Sequence, residues 1–224
     1  MKKRIKKLLF RGDARGVRKL KYGIASGIFM DIDLNHKTQR ILGLDEFEIM
    51  KDFKKLAKRS DVFVDVGASD GYYGLIYNKL NPKGQSYLFE GDPAFKEIAD
   101  ANFKLNSFKA NYKWMTTLVG MVDGGKFVSL DSTLSLKGEK IFFKIDVDGG
   151  ELDVLKGATR TIDDNECYFI IETHSMELEE DCIEFLRERG FSTSIIKNSA
   201  WRKLIPETRP IEHNRWFVAS RNLL

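Results

Sequence analysis

Asp61-Val-Phe-Val-Asp-Val-Gly-Ala-Ser-Asp-Gly71 joins an apolar run to two glycines. The apolar half predicts a buried strand, and the glycines predict a turn that leads into a helix. Glycine lets the backbone approach a ligand closely, because no Cβ intervenes. Glu90 ends the next predicted strand about 20 residues further on, where dinucleotide-type folds place the acid that holds a ribose. The pattern therefore indicates a cofactor that contains adenosine.

The rest of the chain extends this unit into an α/β fold. Its 224 residues are 42% hydrophobic, enough for one large domain with a real core. Short apolar strands alternate with helices, which predicts a seven-stranded, mostly parallel, doubly wound sheet that ends in an antiparallel hairpin. The predicted strands are 62–66, 85–90, 111–118, 141–146, 167–172, 191–197 and 215–220. The predicted helices are 45–58, 72–80, 94–105, 151–162 and 177–189. Residues 59–224 form the cofactor-binding domain.

The glycine loop also distinguishes between cofactors. Ser69 stands where a dinucleotide-binding loop has its second glycine, which a pyrophosphate needs for close approach. S-adenosylmethionine (SAM) has no phosphate and does not need that glycine. Asp65 then serves the ammonium group of SAM, and Glu90 accepts both ribose hydroxyls. The predicted cofactor-binding residues are Asp65, Gly67, Ala68, Ser69, Gly71, Glu90, Gly91, Asp92 and Asp146.

Four stretches together resemble the FkbM family of SAM-dependent methyltransferases. They are the loop Asp65–Gly74, Tyr87–Pro93, Ile141–Ala158 and Phe169–His174, in the family's order across roughly residues 60–175. The resemblance implies a class I methyltransferase fold and SAM as cofactor. It leaves the acceptor open, because family members methylate varied acceptors, often hydroxyls of sugars, lipids or polyketides. Ser69, Gly91, Asp148 and Gly150 depart from the family pattern by small changes.

Polar side chains at two neighbouring strand ends are the candidates for chemistry. Ligands of open α/β sheets bind beyond the carboxyl ends of the strands, where Asp146 and Asp148 meet Glu172 and His174. His174 is the first candidate for a base that takes a hydroxyl proton, because its ordinary pKa lies near neutral pH. Asp146 is the second, and Glu172 completes the predicted catalytic set. The same four side chains could instead hold Mg²⁺ or Mn²⁺, although Lys144 would compete for the carboxylates.

Two neighbouring charges have more ordinary roles. Lys144 in a buried strand should pair with Glu172 or Asp146, because an unpaired buried charge is costly. Glu151 should cap the helix predicted over 151–162, because acids suit a helix N-terminus.

The N-terminal segment 1–22 is strongly basic. It holds ten Lys or Arg against Asp13, within a chain whose net charge is +4. It forms either a solvated helix or an arm that binds an anionic membrane surface or another polyanion. Residues 1–58 are expected to pack on the core as this arm, a hairpin over 27–43 and a helix. The protein is expected to be cytoplasmic, peripheral to a membrane if the arm binds lipid.

Several alternatives concern the reaction and its acceptor. The leading hypothesis is O-methylation of a small molecule, sugar or lipid-linked glycan, with no specific nucleic-acid partner. N-methylation of protein or nucleic acid is the alternative among enzymes, although no N/D-P-P-Y/F motif occurs. A SAM-binding scaffold without activity is the alternative outside enzymes. The irregular stretch 198–214, with Trp201, Arg209 and His213, suits either a substrate lid or ordinary loop packing.

Overall fold

The structure, a computed structural model, describes residues 14–108, 111–203 and 215–221. Its N-terminal part is a two-stranded antiparallel ribbon followed by short helical segments. The elements of this part are β1 (Arg15–Lys19), β2 (Phe29–Asp33), α1 (Thr38–Ile41), a 3-10 turn (Phe47–Ile49) and α2 (Met50–Ala57).

The remaining elements alternate strand and helix around one central sheet. They are β3 (Val62–Val66), α3 (Tyr72–Leu80), β4 (Gln85–Glu90), α4 (Ala94–Lys104), β5 (Tyr112–Thr116), β6 (Leu118–Val119), β7 (Phe127–Val128), α5 (Leu130–Thr133), β8 (Lys140–Ile145), α6 (Glu151–Lys156), α7 (Thr159–Asp163), β9 (Glu166–Thr173), α8 (Met176–Arg187), β10 (Ser192–Ile196), a 3-10 turn (Ala200–Lys203) and β11 (Arg215–Ser220).

The central sheet has seven strands in the order β10-β11-β9-β8-β3-β4-β5. Only β11 runs antiparallel to its neighbours β9 and β10. Every residue of β3 is buried, because packed side chains cover both faces of the sheet. The mostly parallel sheet and the terminal antiparallel pair are confirmed.

Two predicted boundaries in the core differ from the structure. The helix predicted over 151–162 is two helices, α6 and α7, separated at Gly157. A Cβ on Gly157 would lie 2.0 Å from the carbonyl oxygen of Gly120, so the backbones touch there. The strand predicted over 111–118 ends at Thr116, and Leu118 pairs instead with Phe127 in a separate small sheet.

The N-terminal predictions are corrected in two places. The hairpin partner of β2 is β1, inside the basic segment, whereas Arg40 and Ile41 are helical rather than extended. Arg40 is held there by ion pairs with Asp45 and Asp70, which sequence spacing does not reveal.

Parts of two other predictions fall outside the described residues. These are most of the basic arm, residues 1–13, and most of the candidate lid, residues 204–214. Within the described part, no helix has the length and apolarity required to cross a membrane.

Candidate active site

The carboxyl ends of β3, β4 and β8 meet at a cavity of about 890 Å³. Of the predicted cofactor residues, those that line it are Gly67, Ala68, Ser69, Glu90, Gly91 and Asp146. Gly71 directly precedes α3 and has a left-handed φ of 80°, and Asp92 lies shortly after the end of β4. The loop predicted from the glycine pattern therefore forms the floor of a cavity of ligand size.

Gly67 is the residue whose lack of a side chain matters most here. Its φ is 89°, and a Cβ would lie 1.9 Å from the carbonyl oxygen of Asp146. Its N–H and that of Ala68 donate to the carbonyl oxygen of Phe89 at 3.0 and 2.9 Å. The loop therefore lies in close contact with the ends of β4 and β8. At Gly67 its backbone has no side chain that could keep a ligand away.

Ser69 and Glu90 are joined by a hydrogen bond across this loop. Ser69 has a left-handed φ of 48°, and its N–H donates to Glu90 Oε2 at 2.9 Å. The N–H of Asp92 donates to Glu90 Oε1 at 2.9 Å. Two backbone donors therefore fix the Glu90 carboxylate, and each oxygen keeps capacity to accept another hydrogen bond.

An apolar end of the cavity lies beside Glu90. Leu118 and Phe127 line it although 39% and 48% of their surfaces are exposed, and Phe89, Phe95 and Val119 complete it. Such surfaces suit a flat heteroaromatic base. Sequence reasoning missed this group. The sequence signal for it was the apolar pair Leu118-Val119, which lies just after the parallel strand β5 and so at the same edge of the sheet as the glycine loop.

Asp65 lies beneath the cavity lining and is fully buried, and neither carboxylate oxygen has a hydrogen-bond partner. Burial raises the pKa of Asp65 to about 7, and Asp146 and Glu46 raise it while Lys144 lowers it. Those three neighbours line the cavity. A buried carboxylate without a partner fits a site whose ligand supplies a cation, such as the ammonium group of SAM. The cavity thus combines a loop backbone without a side chain at Gly67, a Glu90 carboxylate held by two N–H donors and the buried Asp65 carboxylate. Together these groups fit SAM.

The opposite end of the cavity is polar and centres on Lys144. Its Nζ lies 3.0 Å from Asp146 Oδ2 and 4.5 Å from the centre of the Tyr73 ring. Burial would lower the pKa of Lys144, but Asp146 and Glu46 outweigh it and raise the pKa. The predicted pairing of Lys144 with a carboxylate is confirmed.

Three predicted carboxylates converge around the imidazole of His174. Its Nε2 lies 3.9 Å from Asp146 Oδ1, 3.7 Å from Asp148 Oδ1 and 4.0 Å from Glu172 Oε1. Asp146 and Asp148 line the cavity, whereas Glu172 and His174 lie behind them. Burial, with Asp146 and Glu46 nearby, raises the pKa of Glu172 to about 8.

Sequence reasoning underrated Glu151 and missed two further members of this polar end. Glu151 is fully buried, and its Oε1 lies 2.6 Å from His174 Nδ1, a bond that raises the histidine pKa. Trp216 Nε1 donates to Glu172 Oε2 at 3.0 Å. Glu46, at a left-handed φ of 44°, lines the cavity and accepts the hydroxyl of Tyr73.

A second charge cluster ties the N-terminal segment to the glycine loop. Asp70 is buried, and it receives Lys37 Nζ at 2.6 Å and Arg40 Nη1 at 2.7 Å. Lys37 and Arg40 also line the cavity. Burial would raise the pKa of Asp70, but Arg40 and Lys37 outweigh it and lower the pKa to about 2. The cluster therefore holds one wall of the cavity against its floor.

Asp70→Asn should lower the free energy of unfolding by about 3 kcal/mol at pH 7, because Lys37 and Arg40 both lose a buried charged partner, although Arg40 keeps Asp45. A lowered carboxyl pKa stabilises the fold above the unfolded value and loses that effect as pH falls toward 2. The difference from wild type should therefore be smaller at pH 3, as measured by urea unfolding. Asp100→Asn, which breaks a more exposed pair with Lys96, should cost less than about 1 kcal/mol. Equal costs for the two variants would contradict the role given to Asp70.

Comparisons with known proteins agree with the fold. Residues 127–193 match the methyltransferase FkbM domain. An FkbM methyltransferase from Methylobacillus flagellatus KT has a similar structure, with a TM-score of 0.58 and 14% identity over 82% of this chain and 65% of that one. TYW2 from M. jannaschii, in complex with AdoMet, has a TM-score of 0.52 and 14% identity over 94% of this chain and 87% of that one.

A third similar structure is precorrin-6y C5,15-methyltransferase from Geobacter metallireducens GS-15, with a TM-score of 0.51 and 16% identity over 76% of this chain and 87% of that one. No curated protein sequence matches the chain. The FkbM domain match includes the strand that carries Lys144 and the strand that ends before His174. The chain therefore has the fold of class I methyltransferases, and its residues 127–193 match the methyltransferase FkbM domain.

Proposed function

We propose that the protein transfers the methyl group of SAM to an oxygen atom of a hydroxylated small molecule, sugar or lipid-linked glycan. The observation that carries this proposal is the continuity of the cavity. One part is formed by the glycine loop, Glu90 and Leu118, and the other by Tyr73, Lys144 and Asp146. A cofactor in the first part would direct its reactive end toward a polar acceptor region.

The first part has a group for each portion of SAM. Glu90 would accept the ribose hydroxyls, and Leu118 and Phe127 would contact the adenine. The backbone of the loop that contains Gly67 would hold the methionine chain, with the buried Asp65 carboxylate near its ammonium group. When bound, SAM supplies a methyl group that its positively charged sulfur has already activated. The chain therefore mainly has to align the acceptor and exclude water.

The second part supports oxygen as the acceptor atom. A hydroxyl has a high pKa and must lose its proton during transfer, so a nearby group that accepts hydrogen bonds assists. Asp146 reaches the cavity directly, with its Oδ2 held by Lys144. His174, the sequence-based candidate for the base, lies behind Asp146 and Asp148 and would position them. Its role as base stays a prediction.

The test uses wild-type protein and SAM labelled with ¹³C in the methyl group. We expect calorimetry to detect binding of SAM and S-adenosylhomocysteine. After incubation with the small-molecule fraction of a cell extract, NMR should then detect the transferred methyl group on oxygen. A methyl group found on nitrogen would instead support the alternative of N-methylation. Folded protein that binds both cofactor forms but transfers no methyl group to any fraction would support a binding scaffold.

A further inference from the structure

We propose that Asp146 Oδ1, Glu172 Oε1 and His174 Nε2 form a site for one divalent cation, with Asp148 Oδ1 as a fourth ligand on the solvent side. The site would lie at the acceptor end of the cavity, so the inference rests on the proposed function. The three inner side chains each offer one ligand atom, and these atoms lie within 4.8 Å of one another.

The distances within the cluster suit ligands that share an ion. Nε2 lies 3.7–4.0 Å from the three carboxylate oxygens, which is too long for hydrogen bonds. Ligands bound at the usual distances to one small divalent ion are themselves about 3–4 Å apart. A cluster of acids alone would not establish a site, but His174 adds an independent observation. Its side chain is only 9% exposed, and its buried Nε2 has no hydrogen-bond partner.

Each proposed inner ligand is held by an outer partner through its other polar atom. Glu151 Oε1 lies 2.6 Å from His174 Nδ1, so the tautomer with the proton on Nδ1 directs an unprotonated Nε2 toward the carboxylates. Trp216 Nε1 donates to Glu172 Oε2. Hydrogen bonds of this kind orient the ligands in known metal sites, and a histidine ligand usually donates its second N–H to a carboxylate or carbonyl.

Lys144 is compatible with a cation at this position. Its Nζ bonds Asp146 Oδ2 at 3.0 Å, whereas the oxygen that faces His174 is Oδ1. One carboxylate can therefore contact both positive charges through different oxygens. Sequence reasoning expected Lys144 to compete with a metal, and the geometry instead gives it the role of an outer partner.

The ligand types indicate the class of ion. Carboxylates and water suit Mg²⁺ and Mn²⁺, and one imidazole shifts the preference toward Mn²⁺. Such an ion would bind the acceptor hydroxyl beside Asp146 and lower its pKa. The oxygen–carbon bond would then form as the sulfur–carbon bond breaks, and the hydroxyl proton would leave to water.

The experiment titrates chelator-treated full-length protein with Mn²⁺ and measures free Mn²⁺ by electron paramagnetic resonance. Wild type should bind one Mn²⁺ per chain. Glu172→Gln and His174→Gln should weaken binding at least a hundredfold. Trp216→Phe removes the hydrogen bond to Glu172 and also shortens a buried core side chain, and it should weaken binding about 10–100-fold in protein that still binds S-adenosylhomocysteine. Glu180→Gln changes an exposed acid outside the cluster and should bind as wild type does.

Two further measurements distinguish the loss of a metal ligand from the loss of the fold. Asp148 is 86% exposed, so Asp148→Asn should leave the fold intact and still weaken Mn²⁺ binding. Binding of S-adenosylhomocysteine checks the fold of each variant and tests the proposed function separately. Wild type that binds S-adenosylhomocysteine but no Mn²⁺ would overturn the cation site alone. The site would also be overturned if Glu172→Gln, His174→Gln and Asp148→Asn all bound Mn²⁺ as tightly as Glu180→Gln.

Discussion

Asp65→Asn should make the protein without cofactor more stable at pH 8 and should weaken its binding of SAM. The pKa of Asp65 is raised to about 7, so the carboxylate is ionised at pH 8 without a hydrogen-bond partner. A shift of that size corresponds to a cost of about 4 kcal/mol above pH 7. Asparagine removes this cost, although an unsatisfied buried amide costs about 1–3 kcal/mol itself. The net gain should be about 2 kcal/mol, or several degrees in Tm.

The dependence of this gain on pH gives the sharper test. A raised carboxyl pKa contributes stability below the unfolded value, and that contribution is lost as pH rises through about 7. The Tm advantage of Asp65→Asn should therefore be clearly smaller at pH 5.5 than at pH 8 in thermal unfolding scans. Calorimetry with S-adenosylhomocysteine should show binding weakened about 10–100-fold, because the negative charge behind the cavity lining that attracts the ammonium group is lost. A Tm difference that does not change with pH, or unchanged affinity, would contradict the role given to Asp65.

The sequence predicted the parts of the site that lie on regular strands. Asp65, Glu90 and Lys144 each lie near the end of an apolar run, so the parallel sheet brings them to one edge. The pairing of Lys144 with Asp146 followed from the cost of burying a lone charge. These predictions needed only local periodicity and one general rule about sheets.

The rest of the site depends on contacts that local sequence does not encode. Glu46 belongs to an acidic stretch that indicates an exposed helix start, yet a left-handed turn and a bond from Tyr73 direct it into the cavity. Arg40 is helical because Asp70, thirty residues away, binds its guanidinium. Glu151 has the position of a helix-capping acid, and its bond to His174 exists only once β9 lies beside β8. In each case a contact between distant parts of the chain decides the position of a side chain that local sequence alone would place differently.

Gly67→Ala should destabilise the protein by about 3–5 kcal/mol and abolish detectable binding of S-adenosylhomocysteine. The new Cβ would lie 1.9 Å from the carbonyl oxygen of Asp146, and no side-chain rotation can relieve a contact with backbone. The ends of β3 and β8 would have to separate, which would strain the bond from the N–H of Asp146 to the carbonyl oxygen of Val66. Urea unfolding measures the first effect and calorimetry the second.

Gly27→Ala separates this collision from simple backbone strain. Gly27 has a φ of 93°, close to the 89° of Gly67, but a Cβ there would meet no atom within 4 Å. Its substitution should cost only the strain of a left-handed alanine, about 1–2 kcal/mol, and should leave cofactor binding unchanged. If the two alanine variants lost equal stability, the close approach between β3 and β8 would not be what requires glycine. The loop would then need only the left-handed conformation, and Asn at position 67 should restore binding.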